Sequence, residues 1–129
     1  MGHGLYQFCV STIVEEHKIR DFVSKGWGEF TEQKAWKMGK VLFLESLEIG
    51  TRMPVILSDA ANNTEKLLCW ANLQQVEIDG DRTTVKFENV KKIRGNQQRQ
   101  ELILRSSGSR IAAHFIRPYA ICRTPEFLE

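Results

Sequence analysis

The chain is predicted to be an α+β fold, a mostly antiparallel or mixed β-barrel of about five or six strands with two helices inserted after the first strand. Three observations carry this. Helical periodicity is confined to the stretch before Lys40. Five extended segments then follow one another with tight polar turns between them. No helical stretch separates those segments, so the crossovers of a parallel doubly wound sheet are missing. Closing the sheet would also remove exposed apolar edges. A length of 129 residues without repeat or linker suits one domain, residues 1–129.

In chain order, Leu5 to Val10 is short, apolar and rich in strand formers, and is read as the first strand. Thr12 and Glu15 have capping-box spacing, Ile19, Phe22 and Val23 form a helical stripe, and Gly26 is a terminator, so a helix is expected from about Val14 to Lys25. Gly26-Trp27-Gly28 is read as a loop with an aromatic at its centre. Thr31 as N-cap and Gly39 as C′ frame a second, shorter helix holding Ala35, Trp36 and Met38.

Extended segments are expected at Val41–Leu44, Met53–Leu57, Leu67–Ile78, Thr83–Val90 and Glu101–Arg105, with Pro118–Arg123 closing the chain. Asp79-Gly80 is a hairpin signal, and Val85 and Phe87 alternate with Thr84, Lys86 and Glu88 as buried and wet faces do. Pairing of Leu67–Ile78 with Thr83–Val90 is therefore the firmest expected contact. Asn62-Asn63-Thr64 and Ser106 to Ser109 read as polar loops, and Ser109 could cap one helical turn through Ala112 before Phe115. Leu128-Glu129 also fits the start of a purification-tag junction and carries no weight.

Composition narrows the function classes. No apolar run approaches the roughly 20 residues of a membrane span. The N-terminal stretch lacks the pattern of a secretory signal, so a cytoplasmic location and no membrane partner are expected. Cys9, Cys69 and Cys122 are widely spaced and odd in number, and His3, His17 and His114 have no ligand spacing. Reduced thiols, no metal and no cofactor are expected. A net charge of +2 permits a polyanion partner without demanding one.

Gly50-Thr51-Arg52-Met53-Pro54-Val55-Ile56-Leu57, then Leu68-Cys69-Trp70-Ala71, then Arg117-Pro118-Tyr119-Ala120-Ile121-Cys122 together resemble the layout of the PUA-like barrel superfamily, near its ASCH and EVE branches. The likeness covers most of the chain and includes no invariant signature. The Gly-x-Lys-x-x-Glu-x-Arg turn of the ASCH branch is replaced here by Gly50-Thr51-Arg52-Met53-Pro54-Val55. Members of the superfamily mostly bind RNA or modified bases, so the resemblance implies a non-catalytic nucleic-acid-binding module.

The residues themselves offer candidates of the same kind. Trp27, Trp36 and Trp70 could each hold an unstacked base against an aromatic face, at about 1–3 kcal/mol per base. Core packing is the competing account, favoured for Trp36 and Trp70 by their apolar periodicity, whereas Trp27 between two glycines has no periodic reason to be buried. Lys25, Lys34, Lys37 and Lys40, with Arg52 at the barrel entry, could form a phosphate-facing rim beside Trp27, or only a solvated face diluted by Glu29 and Glu32. Lys91, Lys92, Arg94 and Arg99 read as a basic turn or a wet hairpin. Ser58, Asp59, Asn62 and Asn63 place polar groups where a base edge could be read, and ordinary turn chemistry accounts for them equally.

Two other classes compete. A protein-interaction or small-metabolite-binding domain requires exposed apolar surface around Phe30 and Trp36, with basic residues that do not converge. A nucleoside-directed hydrolase requires a closed polar pocket drawing on Asp59, Glu48 and Lys40. His114 with Cys122 or Ser109 lacks any recognised nucleophile setting, and Glu15 and Glu16 suit a helix start without a catalytic role.

Overall fold

The computed structural model describes residues 4–59, 67–95, 97–111 and 119–128. Its elements are β1 (Phe8–Val14), α1 (Glu16–Lys25), β2 (Trp27–Glu32), α2 (Lys37–Glu48), β3 (Pro54–Asp59), β4 (Leu67–Asp79), β5 (Arg82–Lys92) and β6 (Tyr119–Arg123). The strands form one mixed sheet in the order β2-β5-β4-β3-β1-β6. Only β1 and β3 run parallel; every other neighbouring pair is antiparallel. The α+β class and the strand-rich second half are as the sequence predicts. So is the hairpin: Val76, Glu77 and Ile78 face Val85, Thr84 and Thr83, and Gly80 takes a positive φ of 65° in the turn.

Several expectations are corrected. The sheet is open, with β2 and β6 as its edges, rather than a closed barrel. The two helices do not follow the first strand together, because β2 lies between them. Thr31 belongs to that strand and caps no helix; α2 begins only at Lys37, and Gly39 sits inside it. Gly39 packs against Tyr119, so a small residue is needed there for space rather than for termination. Val41 to Leu44 lies within α2 and is not a strand. A short run of apolar residues has no period long enough to separate the two states.

Smaller corrections follow the same lines. Thr12 is buried in β1, and the helix N-cap Glu15 makes no side-chain cap bond. Arg99–Glu101 forms a 3-10 turn, with Ile103 and Leu104 making isolated bridges instead of a strand. Leu128 is fully buried in the core, so it belongs to the fold. Ser109 is exposed and Arg110 bridges to Ile103, so the expected helical turn does not start there, while Ala112, Asn62, Asn63, His114 and Pro118 lie outside the described residues.

Strand alternation divides the core between the two faces of the sheet. Val10, Val14, Val55 and Leu57 point to one face, where Ile19 and Phe22 of α1 and Leu42 and Phe43 of α2 cover them. Cys9, Ile56, Ala120 and Cys122 point to the other, beneath Leu102, Ile111 and Leu128. On the helical face the sheet curls until its far ends meet through side chains. Trp36, 0% exposed, stacks on Tyr119 of β6 at 4.8 Å and 14°. Its Nε1 donates to Glu32 Oε2 of β2 at 3.2 Å, and Thr12 Oγ1 donates to the same oxygen at 3.3 Å. No backbone ladder joins β2 to β6 among the described residues, so Trp36 does the joining.

Candidate nucleic-acid interface

Trp27 is the first residue of an edge strand and not the tip of a loop. Gly26 terminates α1 in the left-handed region at φ 88°, with its N–H donating to Phe22 O at 2.8 Å. Gly28 is required for a different reason: a Cβ there would lie 2.3 Å from the Phe22 ring, which packs edge-on against Phe87 at 5.0 Å. With Gly28 and Phe30 turned inward, alternation turns Trp27 outward, and it is 54% exposed. Lys25 Nζ lies 5.0 Å from the centroid of its ring and is also paired with Asp21 at 2.9 Å.

Val90 N–H donates to Gly26 O at 3.0 Å, which ties the Trp27 turn to the end of β5. There the strand bulges. Asn89 has a positive φ of 57°, and the register between β4 and β5 shifts across Trp70 and Asn72. A bulge reverses which side alternate residues face. Val90 therefore packs toward the helical core, Lys92 follows it, and Lys91 turns to the opposite face, where its Nζ lies 5.5 Å over the Trp70 ring. Two grooves flank this segment. One, about 440 Å³, lies against α1 and includes Ile19, Arg20, Val23 and Lys92. The other, about 860 Å³, includes Trp70, Lys91, Lys92, Arg94 and Phe127. Arg20 is paired with Glu16 at 3.1 Å, whereas Lys92 and Arg94 are exposed and in none of the ion pairs among the described residues.

The structure thus sets Lys25 over Trp27 and ties their turn to β5, with Glu88 paired directly opposite Trp27 and Lys91, Lys92 and Arg94 further along the chain, but it does not bring in the rest of the expected rim. Lys34 follows β2 at its far end, where its carbonyl accepts from Thr83 Oγ1 at 2.6 Å. Thr83 and Lys92 lie nine residues apart on β5, about 30 Å at strand rise. Lys37 and Lys40 continue from that far end into α2. Arg52 is exposed beside Leu5, ahead of β3, and three strand spacings separate β3 from β2. Asp59 is buried at the end of β3, opposite Val14. Trp70 is 3% exposed, with Lys91 over its ring, and Trp36 has its ring against Tyr119, leaving no space for a third ring between them. Of the three tryptophans, only Trp27 offers a face to solvent.

The requirements of the competing classes can be placed too. Trp36 is buried and Phe30 half-buried against the core, so that surface is interior. Lys40 and Glu48 are eight residues apart on α2, about 12 Å along its axis, too far to share one compact pocket. Burial pushes the Cys122 thiol up to about 12, against the opposing pull of Arg99, which leaves no thiolate for nucleophilic chemistry at neutral pH. Among the described residues no group of His, Cys, Asp and Glu could hold a metal ion, and no helix is long and apolar enough to cross a membrane.

Sequence reasoning missed two polar residues. Arg99, grouped with the wet hairpin, is 1% exposed, and its Nε donates to Ser11 Oγ at 3.1 Å. The signal was local: Gln98 and Glu101 form a reciprocal capping box, with Gln98 N–H donating to Glu101 Oε2 at 2.7 Å, which fixes the turn that carries Arg99 inward. Glu32, read as diluting a basic face, has its carboxyl pKa raised by burial, against hydrogen bonds from Thr12 and Trp36 and the charges of Lys34 and Arg99.

No protein-family model matches this chain, and no curated protein matches it, so the functional reading rests on the geometry.

Proposed function

We propose that the protein is a non-catalytic binding module for RNA or a modified nucleotide, a cytoplasmic domain whose curled sheet is an open relative of the PUA-like barrel. Trp27 is the stacking platform. Lys25 supports the ring from its other side, and a strand that runs on from the stacked base meets the cations Lys91, Lys92 and Arg94 at and beyond the end of β5. The observation that carries the reading is an exposed tryptophan on an edge strand, with a lysine over its ring, tied by a backbone hydrogen bond to the end of a basic strand. An aromatic face supplies sequence-tolerant stacking and neighbouring cations supply the salt-dependent part of affinity.

The test is a titration with single-stranded RNA, single-stranded DNA and nucleosides at low and moderate salt, followed by tryptophan fluorescence. Trp36 and Trp70 are buried, so quenching reports chiefly on Trp27. The expected result is quenching by single strands that weakens with salt, with a slope of about −0.7 per phosphate contact. Absence of quenching by every ligand in the panel overturns the reading.

A further inference from the structure

Helix α2 carries apolar residues on the side that does not meet the core. Gly39, Leu42, Phe43 and Ser46 face inward, yet Met38, Val41, Leu44 and Leu47, with Ile49 at the C-cap, are between 44% and 60% exposed. With Trp27, these are all the exposed large hydrophobic residues among those described. A helix apolar on all sides belongs in an interior, and a contiguous exposed apolar patch marks a contact surface. Helix α1 is the internal control: it has Glu16 in its first turn, Lys25 in its last, ion pairs four residues apart along it, and no exposed large hydrophobic residue.

The charges on α2 say what covers the patch. Lys37 and Lys40 occupy its first turns and Glu45 and Glu48 its last, with no acid at the start and no base at the end. That is the reverse of what the helix's own dipole favours. Glu45 accepts from the Tyr6 hydroxyl, while Lys37, Lys40 and Glu48 are in none of the ion pairs among the described residues. A second α2 laid antiparallel answers both misfits, because its acidic end lies beside the basic end of the first. The shape agrees. A groove of about 310 Å³ at the N-terminal end of α2 includes Met38, Leu104, Tyr119 and Ile121, and an antiparallel partner would set its exposed Ile49 opposite that groove.

We propose that the outer face of α2 is the contact surface of an antiparallel homodimer, related by a two-fold axis that sets Lys37 of each copy against Glu48 of the other. This surface is separate from the Trp27 end of the sheet and does not depend on nucleotide binding.

Sedimentation velocity of the full chain over a concentration series tests it. The parent is expected to populate a dimer, and Leu44→Glu to raise the dimer dissociation constant by about tenfold or more. Far-UV circular dichroism and the denaturation midpoint of that variant, taken at low concentration, should match those of the parent monomer. Lys37→Glu and Glu48→Lys should each weaken self-association, since only an antiparallel pair sets these two positions against each other, and an equimolar mixture of the two should restore it by joining opposite charges again at both ends. Lys37→Glu also suits the helix's own dipole, so its loss of dimer would not come from a damaged fold. A parent monomeric at every concentration, a folded Leu44→Glu that dimerises as the parent does, or a mixture that fails to recover association would each overturn the proposal.

Discussion

Trp27 opens the six-residue strand β2, Trp36 follows its end, and the two have opposite surroundings. Trp36 is enclosed: its backbone N–H donates to Thr83 Oγ1 at 2.9 Å, its indole N–H donates to Glu32, and its ring stacks on Tyr119. Trp27 has Lys25 over its ring and is more than half exposed. The difference follows from strand parity and partners rather than residue type. Gly28 and Phe30 take the inward positions of β2, which puts Trp27 outside, while the chain beyond Glu32 turns back to place Trp36 where the two sheet edges converge. A tryptophan whose polar atom and both faces are satisfied by protein is holding the fold. One left open beside cations is available to a ligand.

The largest expected effect is at the enclosed end. Trp36→Ala removes the side chain that joins β2 to β6 and should lower stability by about 3–5 kcal/mol in chemical denaturation. A loss below about 1 kcal/mol would mean that the two edges do not depend on Trp36. At the other end, Gly28→Ala drives a methyl group into Phe22 and should cost about 1–3 kcal/mol. Phe22→Leu in the same chain should return part of that loss. If the two substitutions simply add, the clash is not what requires glycine at this position.

A smaller effect should separate the ends by pH. Burial raises the Glu32 pKa, so the folded chain binds that proton more tightly than the unfolded chain does. Stability conferred by the protonated form is present below the unfolded value, about pH 4.3, and is lost as pH rises through the higher folded value. Gln cannot ionise, so the stability of Glu32→Gln relative to the parent should rise across that window and level off above it. Urea midpoints measured across the window check this, and a difference constant with pH would mean that the carboxyl is not held in a desolvating site.

Much of this architecture was legible in the residue pattern. Asp79-Gly80 marked the hairpin because its turn chemistry is local, and the alternation around Val85 and Phe87 marked β5 because one of its faces is buried. The region between α1 and β3 was misread for two physical reasons. Glycines on both sides of Trp27 look like a loop, whereas Gly28 answers to a ring packed against the strand. Val41 and Leu44 look like strand residues because both sides of α2 are apolar, a property the monomer's own core does not require. Of the candidate site, Trp27 and Lys25 were legible as neighbours. Their tie to the end of β5 was not, because it depends on a bulge at Asn89 and on a hydrogen bond between residues 26 and 90. The burial of Arg99 was equally out of reach of a charge count.

The contrast between the two tryptophans meets its most direct test in Trp27→Ala. A side chain this exposed should change stability by no more than about 0.5 kcal/mol, while affinity for single-stranded RNA, read by fluorescence anisotropy of a labelled strand, should fall by about 1–3 kcal/mol. An unchanged denaturation midpoint with weakened binding is the predicted result. Affinity equal to the parent's would contradict the account and remove Trp27 as the platform.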